Sequence, residues 1–92
     1  MEDLIKKVEG RIVNFAMEHD KIEAVCFGEF GGVKEVYTFL TNKKNYDSII
    51  EDQITDLDLD IMRQFNYNVR LIVLPFGKKV MSDFERTLYE KA

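Results

Sequence analysis

A glycine pair, Gly31-Gly32, separates two apolar segments and constrains the fold of this chain more than any other feature. Gly-Gly dipeptides between runs of branched and aromatic residues are typical of tight β-hairpins, because glycine adopts the positive φ that the turn requires. We therefore predict a β-hairpin over residues 21–41, with the two glycines as its loop.

Counting outward from the two glycines predicts the register of this hairpin. Glu29 lies opposite Lys34 and Phe27 lies opposite Val36, so opposite charges and apolar side chains face each other. Cross-strand pairs of this kind each contribute about 0.2–1 kcal/mol. A slip by one residue would lose these pairs and turn each side chain to the other face of the sheet.

Amphipathic helices are predicted on both sides of the hairpin. Apolar residues recur at the i, i+3, i+4 spacing over residues 3–19, and a second apolar stripe runs over residues 50–65. Ser48 and Glu51 have the capping-box spacing of a helix start. A start a few residues earlier, at Asn45, is the competing choice.

A third strand is predicted at residues 69–76, after the second helix ends at Asn66 or Asn68. This segment is rich in branched residues, and Pro75 lies near its end, where a missing amide does least harm. A second capping-box spacing at Ser82 then predicts a short terminal helix.

These elements give an α/β (α+β) domain in the order α-β-β-α-β-α, with a three-stranded sheet built on the hairpin and helices packed on it. We expect one domain over residues 1–92, because 46% hydrophobic residues suffice for one modest core. The first strand is apolar on both faces and is therefore predicted to be central. The sequence leaves open which hairpin strand the third strand joins.

The second face of the sheet needs a cover. The terminal helix supplies it or, failing that, a second copy of the chain in a symmetric homodimer does. The predicted interface residues on this face are Val25, Phe27, Val36 and Leu40.

Charge and composition limit the partners of the protein. The net charge of -4 disfavours nucleic acids and anionic membranes, and no apolar run is long enough to span a bilayer. Cys26 is the only cysteine, which excludes an intramolecular disulfide. The acidic first residues differ from a signal peptide, so we expect a cytoplasmic protein.

Acidic residues on the second helix form the most conspicuous charge feature, a row of Asp52, Asp56 and Asp60. The run from Asp56 copies the opening of a calcium loop, but Ile61 replaces the required glycine and Tyr67 the closing glutamate. We predict no metal site and no cofactor. The row is interpreted as a solvated helix face, or as a docking row for a basic partner.

Three cationic residues, Lys78, Lys79 and Arg70, are the candidate anion-binding positions, since the lysine pair precedes a predicted helix start. The phosphate loop of P-loop proteins is absent. His19 and Cys26 each lack the further ligands or orienting groups that zinc binding or nucleophilic catalysis requires. No catalytic residue is therefore predicted.

The element order, together with Phe27-Gly28 at the end of the first strand, resembles the minimal nucleotidyltransferases that serve as antitoxins. The chain departs from that family at its catalytic residues. Glu29 replaces the serine after the glycine, and Tyr37 and Phe39 occupy the region of the paired metal-binding aspartates. The resemblance therefore implies a degenerate relative that does not transfer nucleotides.

Two functions are compatible with these observations. The first is a non-catalytic domain that acts through protein association, above all self-association. The second is a degenerate nucleotidyltransferase relative that binds nucleotide or phosphate near Lys78, Lys79 and Arg70.

Overall fold

The computed structural model describes residues 2–42, 48–77 and 81–91. These residues form two helices and four strands. In chain order they are α1 (Glu2–Met17), β1 (Ile22–Phe30), β2 (Val33–Thr41), α2 (Ser48–Phe65), β3 (Arg70–Pro75) and β4 (Arg86–Glu90). The predicted α+β class is confirmed, whereas the three-stranded sheet and the terminal helix are wrong.

The four strands form one sheet in the order β3-β2-β1-β4. β1 and β2 are the antiparallel arms of the predicted hairpin, β4 is antiparallel to β1, and β3 is parallel to β2. β1 is an interior strand, as its two apolar faces predicted. The third strand joins the second arm of the hairpin, a choice that the sequence left open.

The C-terminal segment is a strand because β1 needs a second partner. Val25 and Cys26 are fully buried, so the backbone groups of β1 that point away from β2 cannot bond to water and must be paired within the protein. β4 supplies these partners, with Tyr89 opposite Val25 and Thr87 opposite Cys26. This non-local demand overrides the local helix signal at Ser82.

Both helices pack on one face of the sheet and form the main core. The apolar stripe of α1 meets Val25 and Phe39, and the stripe of α2 completes the layer. The buried members of this core are Val8, Ile12, Phe15, Ala16, Ile22, Val25, Tyr37, Phe39, Ile50, Ile54, Leu57 and Ile61. Both predicted amphipathic helices are thereby confirmed.

The opposite face carries a smaller core of Ala24, Cys26 and Leu40. Met81 and Phe84, from the connection between β3 and β4, pack against it. Met81 and Phe84 therefore lie on the face that the helices leave open.

Between Ala24 and Gly28, the register of the hairpin differs from the prediction by one residue. Phe30 pairs with Val33 as expected, but Phe27 lies opposite Tyr37 instead of Val36. An extra residue on β2 causes the shift, and Glu35 adopts a φ of 60° there. Such a bulge re-aims the residues that follow it.

Polar residues end both helices. Asn66 follows α2 in the left-handed region, with φ 52°, and its amide donates to the carbonyl of Met62 at 2.9 Å. His19 follows α1, and its Nδ1 donates to the carbonyl of Phe15 at 2.7 Å. Neither helix of the described chain is long and apolar enough to cross a membrane.

Candidate functional site

The outer edge of β3 exposes unpaired backbone groups. Among the described residues, β3 pairs only with β2, and every residue of Arg70–Pro75 keeps some exposed surface. The amide of Phe76 donates to the carbonyl of Thr41 at 2.8 Å. Because backbone groups alternate sides along a strand, Leu74 and Ile72 also turn their amides toward β2.

The intervening residues of β3 therefore point their backbone groups away from the sheet. Leu71 and Val73 present N–H and C=O outward, and Pro75 has no N–H to present. Proline at this position is typical of an edge strand. Natural sheets protect such edges with charges, proline or bulges. β3 has Arg70 and Pro75 at its two ends, but its pairing with β2 is regular and residues 71–74 carry no charge.

Exposed apolar side chains flank this edge on both faces of the sheet. On the helix side, Leu59 is 40% exposed and Met62 is 41% exposed; on the other side, Phe30 is 43% exposed. We name this region the β3 edge surface and define it by the following residues: Phe30, Val33, Leu59, Met62, Leu71, Ile72 and Val73. Clefts of about 390 and 330 Å³ border it.

The other edge of the sheet differs in character. β4 begins with Arg86 and ends with Glu90, both exposed, and Lys91 follows directly. Charges at both ends of a short strand oppose pairing with another chain. The sheet thus has one protected edge at β4 and one apolar edge at β3.

A polar cluster joins α1 to two strands near the hairpin end of the sheet. The hydroxyl of Tyr37 donates to Glu9 Oε2 at 2.8 Å, and Arg86 donates to both carboxylate oxygens of Glu9, at 3.2 Å to Oε1. The guanidinium carbon of Arg86 lies 4.7 Å from the centre of the Phe27 ring. This geometry combines an ion pair with a cation–π contact.

The cluster shifts the pKa values of its members. Burial by itself would raise the pKa of Glu9, but the hydrogen bonds from Arg86 and Tyr37 outweigh it and lower that pKa. Burial and the hydrogen bond to Glu9 raise the pKa of Tyr37. Glu9 is therefore held as a carboxylate and Tyr37 as a neutral phenol.

A cleft of about 210 Å³ opens beside this cluster. We name it the Arg86 cleft. Its lining residues are Ile5, Glu9, Phe27, Lys34, Glu35, Tyr37, Tyr67, Asn68, Val69, Arg70 and Arg86. Arg70 is the only predicted anion-binding residue among the described residues; Lys78 and Lys79 lie outside them.

The four predicted interface residues do not share a face of the sheet. Val25 and Phe27 point toward the helices, where Val25 is fully buried. Val36 and Leu40 lie on the opposite face, opposite Gly28 and Ala24. The bulge on β2 separates the two pairs. Leu40 belongs to the smaller core, against which Met81 and Phe84 pack, whereas Val36 borders the β3 edge surface.

The predicted acidic row lies on the exposed side of α2. Asp52, Asp56 and Asp60 are all exposed, and Asp60 forms an ion pair with Arg11 at 3.5 Å. Its role as a docking row stays a prediction. Within the described ranges, no group of three or more histidine, cysteine or acidic residues is placed to hold a metal ion.

The lone cysteine lies in the smaller core. Cys26 is fully buried, and burial is the main cause that raises the pKa of its thiol. Its Sγ lies 3.8 Å from Thr87 Oγ1. A buried protonated thiol of this kind behaves as a small apolar side chain.

Comparisons with protein-family models, with curated proteins and with solved structures gave no significant match. Sequence reasoning missed the polar cluster because Arg86 was assigned to a helix. It also missed the β3 edge, although Pro75 inside an apolar run is a signal of an edge strand.

Proposed function

We propose that this protein is a non-catalytic association module that forms a homodimer through antiparallel pairing of two β3 strands. The observation that carries the proposal is the β3 edge surface, a strand edge whose residues 71–74 carry no charge and which has exposed apolar side chains on both faces. Edge-to-edge pairing supplies backbone hydrogen bonds, and the flanking side chains supply the apolar burial that associated proteins need.

The spacing of the outward backbone groups favours a second copy as the occupant. A two-fold axis normal to the sheet would lie midway between the two Ile72 residues of neighbouring β3 strands. It would bring Leu71 of one protomer opposite the partner's Val73. Both residues point their N–H and C=O outward, so each such pair exchanges hydrogen bonds. The match is reciprocal, which is the property of an isologous interface.

Charge and side-chain placement are also compatible with this two-fold arrangement. Arg70, the one charged residue of β3, would face the partner's Leu74, and the two Arg70 side chains would be about 13 Å apart along the strands. A two-fold axis normal to the sheet leaves the helix-covered faces of both protomers on the same side of the joined sheet. Leu59 and Met62 of the two α2 helices would then approach one another above the joined sheet.

The oligomeric state in solution tests this proposal. Size-exclusion chromatography with light scattering at micromolar concentration is expected to give twice the mass of one chain. Ile72→Lys is expected to give a monomer, because two like charges would face each other at the two-fold axis. Leu59→Lys, on the exposed side of α2, is expected to weaken the dimer without loss of the fold.

Thr55→Lys is the matched control. Thr55 is exposed on α2 outside the β3 edge surface, and the substitution adds the same charge. It is expected to leave the dimer intact. A monomeric mass for the unaltered chain would disprove the proposal, and so would a dimer that persists in both Ile72→Lys and Leu59→Lys.

A further inference from the structure

The Arg86 cleft contains two cationic side chains that form no ion pair with any described residue. Glu9 compensates Arg86 through its two hydrogen bonds. Lys34 and Arg70 are exposed, and neither forms an ion pair with any residue in the described parts of the chain. Apart from Glu9, which pairs with Arg86, the acidic residue in the cleft lining is Glu35. The cleft is therefore locally positive in a protein whose net charge is -4.

The other lining groups suit a flat organic molecule. Tyr67 contributes an aromatic side chain, and Ile5 and Val69 contribute aliphatic ones. The Arg86 side chain is about half exposed, so a ligand can reach it while its guanidinium stays over the Phe27 ring. A guanidinium group can stack on an aromatic ring and can donate two hydrogen bonds to an oxyanion.

The size of the cleft limits the ligand. Its volume of about 210 Å³ lies below the 300–1,000 Å³ that is typical of sites for drug-sized molecules. We propose that the Arg86 cleft binds a small organic anion, namely a phosphate ester or carboxylate joined to a single planar ring. Lys34 contacts the oxyanion, Asn68 supplies an amide donor, and the ring lies along the apolar wall. Arg70 adds positive charge at the edge of the cleft, where β3 begins.

A nuclear magnetic resonance titration of the full chain with phenyl phosphate tests this inference. Saturable shifts are expected at the backbone amides around Lys34, Asn68 and Arg70. Inorganic phosphate is expected to bind more weakly because it lacks the ring, and neutral benzyl alcohol is expected to give no saturable shifts. Benzoate is expected to move the same amides as phenyl phosphate.

Substitutions at two neighbouring positions should act in opposite directions. Lys34→Gln is expected to weaken phenyl phosphate binding about fivefold, because one charge-assisted contact is lost. Glu35→Gln is expected to strengthen it by removal of the competing carboxylate. Neither Lys34 nor Glu35 belongs to the β3 edge surface, so neither substitution alters a residue of the proposed dimer interface. The mass of each variant, measured by light scattering, separates an effect on dimerisation from an effect on binding.

Lys7→Gln and Glu18→Gln provide the matched charge controls. Both residues are exposed on or next to α1 and lie outside the cleft lining. They are expected to leave the affinity unchanged. The inference is overturned if phenyl phosphate gives no saturable shifts, if benzyl alcohol binds equally well, or if Lys34→Gln weakens binding no more than Lys7→Gln.

Discussion

Gly28 on β1 lies directly beneath the backbone of Glu85, so closely that a Cβ atom at Gly28 would be 2.8 Å from the Glu85 amide nitrogen. That amide donates to the carbonyl of Phe27 at 2.9 Å. The contact fixes the connection between β3 and β4 onto the sheet at the point where β4 begins. A side chain at position 28 would separate the two.

Gly28→Ala is therefore expected to destabilise the protein by about 1–3 kcal/mol, the usual effect of inserting an atom into a packed site. The measurement is the free energy of unfolding from urea denaturation. Gly10→Ala is the matched control, because nothing lies within 4 Å of a Cβ there. It is expected to stabilise the middle of α1 by about 0.5–1 kcal/mol. Equal effects at both positions would contradict the close contact.

Glu9→Gln is expected to lower stability at neutral pH by about 1 kcal/mol through loss of the ion pair with Arg86. The pKa of Glu9 is lower in the folded state than its ordinary value of 4.5. Its stabilisation is therefore present above pH 4.5 and is lost as the pH falls through the folded-state pKa. The difference in unfolding free energy between the two proteins, measured from pH 7 downward, should shrink below pH 4.5.

The control is to measure the effect of Glu9→Gln on stability in a protein that also carries Arg86→Gln. If Arg86 causes the lowered pKa, Glu9→Gln should have a smaller effect in that background than in the unaltered protein. An effect of the same size in both backgrounds would contradict the coupling between Glu9 and Arg86.

Tyr37→Phe is expected to change stability in the alkaline range. The pKa of Tyr37 is raised above its ordinary value of 10.0 by burial and by Glu9. Its contribution is therefore fully present below pH 10 and is lost as the pH rises through the folded-state value. Above pH 10, the free energy of unfolding should decline less steeply with rising pH for Tyr37→Phe than for the unaltered protein. An equally steep decline for both proteins would show that Tyr37 does not cause it.

Thr38→Val is expected to stabilise the protein by about 1 kcal/mol. The Oγ1 atom of Thr38 is buried and has no hydrogen-bond partner among the residues described, so valine would remove an unsatisfied hydroxyl and keep the shape. Thermal unfolding checks this expectation. Thr55→Val, at an exposed position on α2, should stay within about 0.5 kcal/mol of the original protein. A loss of stability in Thr38→Val would indicate that the hydroxyl is satisfied.

Local signals in the sequence were sufficient for the elements that form from neighbouring residues. The glycine pair predicted the turn, and the observed pairing of Phe30 with Val33 confirms it. Asn66 was one of two predicted ends for α2, and it ends the helix in the left-handed conformation. These features depend on backbone preferences and apolar spacing within a few residues, which a single sequence displays directly.

The candidate sites needed more than local signals. Arg86 and Glu9 are far apart in the chain, and Arg86 reaches Glu9 only because β4 is a strand beside β1. The β3 edge was predictable in part, since Pro75 marks an edge strand. Its apolar flanks were not, because Leu59 and Phe30 reach the two sides of β3 only through the packing of α2 and the hairpin around it.

The sequence by itself determined the two helices, the hairpin with its glycine turn, and the third strand. Only the tertiary structure decided that the residues after Glu85 form β4, that a bulge at Glu35 shifts the hairpin register, and that β3 is left at an edge. The physical reason is that buried backbone groups of β1 must find partners, and the partners they find are distant in the chain. That non-local requirement outweighs a local helix signal and so decides which strand edge stays free.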